Sequence, residues 1–173
     1  ESWRPLSDVV ALAVQLDEQD PQRVSARFLE LDGGYFVLLC GGGGASLMLF
    51  DHLVAAGGQP ANYAEIGGNP TEQKVAGLTN IVLRKRGVDA LFVAHNITNN
   101  TQTDIIARGI VRGIRLAGRS PAHFPVVARE AGLHDETAKY IFREAGIRYY
   151  GEETTLAQAA RAMIEAMPVG GTR

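Results

Sequence analysis

The sequence predicts an α/β fold, a flavodoxin-like, doubly wound parallel sheet of five strands in three layers. Three observations carry the prediction. From Phe28 onward, short β-rich runs alternate with helical patterns, as in a parallel sheet with crossover helices. Gly58, Gly87, Gly118 and Gly146 stand where those helices should end, in the C′ position that favours glycine. The 173 residues, 46% of them hydrophobic, can bury about 70% of their unfolded surface in a single core.

The candidate strands are Tyr35 to Cys40, Asn62 to Ile66, Ala90 to His95, Pro125 to Ala128 and Ile147 to Tyr150. Before them, Leu6 to Leu16 reads as a short helix that Asp20-Pro21 ends; residues 1–27 are expected to form a connecting arm. The first strand runs into Gly41-Gly42-Gly43-Gly44, and a helix follows from Ala45. Asn69-Pro70-Thr71-Glu72 supplies a cap, a proline at the first helical position and a carboxylate three residues after the cap. Val75, Leu78 and Val82 then form one apolar stripe.

Thr101 and Asp104 make a second capping pair. Ile106, Ile110, Ile114 and Ala117 line one face of that helix, with Arg108, Arg112, Arg115 and Arg119 elsewhere. The last helix has Thr154 or Thr155 as its cap and buries Leu156, Ala160, Met163 and Met167. Residues 28–167 therefore form the domain, and residues 168–173 an expected flexible tail.

The near balance of charge, −2 overall, gives no reason to expect nucleic acid or an acidic membrane surface as partner. Cys40 is the only cysteine, which excludes an internal disulfide and a four-cysteine zinc site and fits a reducing, cytoplasmic compartment. The uncharged stretch from Gly33 to Phe50 is broken by its glycines into pieces shorter than the ~20 residues of a spanning helix. The start at Glu1, without a leader, is expected of a portion of something longer.

In a doubly wound sheet, ligands bind beyond the carboxyl ends of the strands, and three strand ends carry suitable residues. Gly41 to Gly44 is either an anion cradle, with bare backbone and a helix N-terminus facing the ligand, or a tight strand-to-helix turn. The stretch His95 to Asp104 holds eight neutral polar side chains in ten residues, His95 included. Its amides and hydroxyls would bind a carboxylate or phosphate at a helix N-terminus, or simply cap the helix in water. Arg129, after the fourth strand, would reach a substrate carboxylate or a partner, or join a surface ion pair. His95 is the only histidine placed for acid–base work; Cys40 lies ahead of a helix N-terminus that would lower a thiol pKa, or is simply a buried lone cysteine.

These loops resemble a specific family. The entry Leu31-Asp32-Gly33-Gly34, the glycine loop and the run Gly57-Gly58-Gln59-Pro60-Ala61-Asn62-Tyr63-Ala64-Glu65-Ile66-Gly67-Gly68 are similar to the carboxy-terminal domain of the succinyl-CoA synthetase β subunit, ADP-forming. Asp104-Ile105-Ile106-Ala107-Arg108-Gly109-Ile110 and Pro125-Val126-Val127-Ala128-Arg129 continue the likeness in order and spacing.

The resemblance implies a domain of an ATP-dependent acid–CoA ligase that helps bind a carboxylic acid, its acyl phosphate and a partner's phosphohistidine. Substrate-binding residues implied by it are Cys40, Gly41, Gly42 and Gly43 in one loop, and Thr98, Asn99, Asn100 and Thr101 in the other. No side chain here is expected to act as nucleophile, no metal or cofactor is expected in this portion, and the portion alone is expected to be inactive. ATP, magnesium and CoA are implied for the complete enzyme, with an upstream ATP-grasp domain and an α-like CoA-binding subunit as partners. Cys40 replaces a family Asn, and Thr98 and Asn99 replace two glycines, so that side chains stand where the family has bare backbone. The alternative is a non-catalytic module of the same fold that binds a partner or senses an anion.

Overall fold

The computed structural model describes residues 7–20, 25–41 and 43–167. The expectations made for Leu6, Gly42 and the tail 168–173 lie outside the described residues.

In chain order the elements are α1 (Asp8–Glu18), β1 (Ala26–Glu30), β2 (Phe36–Gly41), α2 (Gly44–Ala55), β3 (Asn62–Ile66), α3 (Glu72–Val82) and β4 (Ala90–His95). Then come β5 (Thr98–Gln102), α4 (Thr103–Leu116), β6 (Val126–Arg129), β7 (Gly132–Leu133), α5 (Asp135–Glu144), β8 (Arg148–Tyr150) and α6 (Leu156–Ala166).

The main sheet has six strands in the order β1-β3-β2-β4-β6-β8. Five of them run parallel, and their order is that of a doubly wound flavodoxin-like sheet, as expected. The sixth is a correction: β1 adds an antiparallel edge to β3, with Ala26 opposite Ile66 and Glu30 opposite Asn62. Its Arg27 and Leu29 face solvent, so the segment lacks the continuous apolar run that marks the buried strands. The polar stretch after β4 is also more ordered than a loop, because β5 pairs with β7 in a small parallel sheet, Thr98 opposite Gly132 and Gln102 opposite Leu133.

Successive side chains of a strand point to opposite faces, and both faces of this sheet are covered. Val37, Leu39, Leu91 and Val93 pack with α3, α4 and α5, while Phe36, Leu38, Cys40 and Phe92 pack with Leu49 and Leu53 of α2 and Ala160 and Met163 of α6. The result is three layers. Within the expected arm, Ala13, Val9, Leu12 and Leu16 of α1 join the first of these cores, and the buried Lys74 of α3 binds Asp17 at 2.7 Å and Asp20 at 3.2 Å.

Helix starts differ from expectation at two places. Asn69 has φ 54° and Thr71 is the cap of α3, its hydroxyl accepting from the Lys74 N–H. α4 begins at Thr103 with no side-chain cap, because the Thr101 hydroxyl accepts from the Asn69 N–H at 3.1 Å and is committed to β3's outgoing turn. At α6, Thr155 and Gln158 form a full capping box. The left-handed residue after α2 is Gly57, φ 84°, not Gly58, which is instead pressed against Leu53 and Ile164.

Candidate functional site

β2 and β4 lie side by side at the centre of the sheet, with Gly41 opposite His95. From here the connections diverge, α2 covering one face and α3 and α4 the other, so a crevice opens past the carboxyl ends of the two strands. It holds a cavity of about 170 Å³, lined by Gly43, Glu65, His95, Asn100, Thr101 and the Gly67-Gly68 turn.

His95 closes the floor. Its Nδ1 lies 2.5 Å from Oε1 of Glu130, and both residues are buried. Arg129, also buried, donates from Nη1 to the His95 carbonyl at 2.7 Å and from Nε to the Thr154 carbonyl at 2.9 Å, tying the ends of β4 and β6 to the turn before α6. The Tyr149 hydroxyl donates to the Glu130 carbonyl at 3.0 Å. Burial, then the surrounding Asp135 and Glu130 charges, push that phenol up to about 12. His95 Nε2 is buried and has no partner. A Cβ on Gly41 would stand 2.7 Å from that nitrogen, so β2 must end in glycine for the ring to fit.

The glycine turn is held from the neighbouring strand. Glu65 of β3 accepts the Gly43 N–H on Oε1 at 2.8 Å and the Tyr63 hydroxyl on Oε2 at 2.9 Å. Ser46 of α2 donates to the Gly43 carbonyl at 2.5 Å and lies 2.6 Å from the Tyr63 hydroxyl. The N-terminus of α2 thus already faces a carboxylate, the protein's own. Cys40 points into the α2/α6 core, donates to the Ala64 carbonyl at 3.0 Å, and has its thiol pushed up to about 12 by burial and then by Glu65.

The structure therefore separates the residues that the resemblance grouped. Gly43, Asn100 and Thr101 line the cavity; Gly41 lies beneath His95; Cys40 is buried away from it; Asn99 is exposed; Thr98 contributes backbone to β5. Gly42 is outside the described residues. Arg129 does neither thing expected of it: both recorded bonds go to backbone carbonyls inside the fold. Glu130 and Glu65 are the residues that sequence reasoning missed. Glu65 pairs in register with Cys40, so aligning the carboxyl ends of the two strands would have brought it to the glycine turn. Among the described residues no group of three or more His, Cys, Asp or Glu is placed to hold a metal, and no helix is long and apolar enough to cross a membrane.

Comparison with known proteins agrees with this architecture. The succinate–CoA ligase [ADP-forming] β subunit of Bordetella avium is 31% identical over 157 residues, covering 87% of this chain and 39% of that protein. The same subunit of Geobacillus thermodenitrificans is 32% identical over 156 residues, again 87% of this chain and 39% of the relative. The chain thus spans about two fifths of these relatives. An ATP citrate lyase from Methanosaeta concilii, solved with (3S)-citryl-CoA, superposes with a TM-score of 0.78 at 20% identity over 94% of this chain and 44% of its own, which establishes the shared fold. The family model described as ATP citrate lyase citrate-binding matches residues 7–165, nearly the whole described chain, and the chain belongs to that family.

Proposed function

We propose that this chain is the acid-recognising domain of an ATP-dependent acid–CoA ligase, built to hold a carboxylic acid while it is activated and passed to a thiol. The observation that carries the reading is the meeting of the glycine turn and the β4–α4 segment around one cavity at the point where the sheet's connections diverge. The family and the succinate–CoA ligase relatives support the reaction class.

In this reading the acid's carboxylate oxygen attacks the phosphorus of the partner's phosphohistidine, and the P–N bond breaks to release the imidazole. The thiol of CoA, losing its proton, then attacks the acyl carbon and expels phosphate. This domain contributes position and charge stabilisation, with no side chain as nucleophile. The buried Cys40 thiol, protonated at any ordinary pH, fits a structural role. ATP and magnesium would be held by an ATP-grasp domain, and CoA and the phosphohistidine by an α-like subunit, in a reducing cytoplasm.

The test is reconstitution. The full-length protein, combined with its α-like partner, should hydrolyse ATP in a CoA-dependent manner when given one member of a panel of mono-, di- and tricarboxylates. If no acid stimulates turnover above background, the ligase reading fails. A non-catalytic partner-binding or anion-sensing module of the same fold is then favoured; the Gly43 N–H held by the Glu65 carboxylate, and so not free for a substrate, supports the non-catalytic reading.

A further inference from the structure

The feature of the cavity left unexplained by the fold is the pair His95–Glu130. Glu130 is 1% exposed and His95 4% exposed, and their contact is 2.5 Å. A carboxylate so buried is tolerated when it is paired and hydrogen-bonded, and the imidazole supplies both. Binding Glu130 through Nδ1 fixes the ring's orientation and leaves Nε2 as the free end. That nitrogen is buried, unpartnered, and belongs to a residue lining the cavity. A buried polar atom without a partner is costly. Glu65, the carboxylate in the same lining, already holds the Gly43 N–H and the Tyr63 hydroxyl with its two oxygens.

We propose that His95, oriented by Glu130, is the substrate-binding residue of this cavity, gripping one oxyanion, carboxylate or phosphoryl, through Nε2–H. The imidazolium is the form in which both ring nitrogens donate, one to Glu130 and one to the ligand. Asn100, on the same wall, supplies a further polar contact. The recorded donor of the glycine turn is occupied by Glu65, so the anion's anchor is on the β4 side of the crevice. A cavity of about 150 Å³ takes a molecule of benzene's size. The 170 Å³ here therefore suits phosphate or one carboxylate end of a compact acid. This inference rests on the acid-binding reading above.

The test uses the full chain with ¹⁵N-labelled histidine, titrated with succinate, citrate and inorganic phosphate while binding is followed by calorimetry. With whichever compound binds, the His95 Nε2 resonance should move in step with saturation and report a protonated nitrogen. A shift with succinate or citrate identifies a carboxylate, and a shift with phosphate identifies a phosphoryl group; either supports the proposal. H95N should weaken that binding about tenfold or more. Binding that leaves the Nε2 resonance unmoved overturns the proposal and spares the acid-binding reading. Absence of binding by all three compounds overturns both.

Discussion

Cys40 sits at the end of β2 with its thiol buried between the sheet and α2, beside the Glu65 carboxylate. Its ordinary value of 9.0 is pushed up to about 12 in the folded chain. Between these two values the unfolded chain has lost the thiol proton and the folded chain retains it, so stability falls as pH rises through this window. The contribution is intact below pH 9. In urea titrations at pH 8 and pH 10.5, wild type should lose more stability than C40A on going to the higher pH. Tyr149, raised in the same direction, is common to both proteins and cancels in the comparison. Equal losses would mean that the thiol is not sequestered. The same residue shows where reading the sequence stops: a cysteine before a helix N-terminus reads as activated or as simply buried, and the packing of β2 against α2 and α6 decides for burial. His95 was legible as a strand-end histidine beside polar residues. Glu130 was not, because 35 positions separate it from His95 and only the β4–β6 pairing brings the two ends together.

At the level of elements, α3 and α4 approach closely at Gly109 and Gly113, and glycine is the reason. A Cβ on Gly109 would lie 2.5 Å from Val75 Cβ and 2.9 Å from the Glu72 carbonyl oxygen. On Gly113 it would lie 2.5 Å from Thr79 Cβ and 2.7 Å from the Ala76 carbonyl oxygen. Alanine favours an exposed helix interior over glycine by about 1 kcal/mol. Here the backbone contacts reverse that preference. G109A and G113A should each destabilise the chain by about 1–3 kcal/mol, the range for overpacking, read as a lower urea midpoint. A rise in midpoint would show that the helices can separate freely. The sequence displayed this helix well through its isoleucine stripe, but Gly109 and Gly113, also four apart, do not by themselves say which element they admit. Helix starts were legible where hydroxyl and amide partners are local, as at Thr155 and Gln158. They were obscured where a hydroxyl is claimed from 32 residues away, as Thr101 is by Asn69.

Across the whole molecule, β2, β4 and β6 were readable because each is buried on both faces and its interior is written as an apolar run. β1 was not, since half of it faces solvent and its hydrogen bonds come from β3. That strand closes an edge which would otherwise offer unpaired peptide groups to other chains. A truncation starting at Leu31 removes both α1 and β1, leaving Lys74 without Asp17 and Asp20. Light scattering after purification should show this variant self-associating under conditions that keep the full chain monodisperse. A monodisperse truncation with unchanged thermal unfolding would mean that the amino-terminal elements are ornamental.

The seam between β2 and β3 is paired at Cys40 with Glu65 and bridged again at Phe36 with Pro60, with a gap in the ladder between. Asn62 fills the gap: its Oδ1 accepts the Leu38 N–H and its Nδ2 donates to the Leu38 carbonyl, each at 2.9 Å. A carboxamide has the same donor and acceptor geometry as a peptide group, so one side chain counterfeits a missing rung. With a pairing on either side of it, the amide completes the clasp of β3 on β2, and so helps fix where Glu65 stands when it meets the glycine turn.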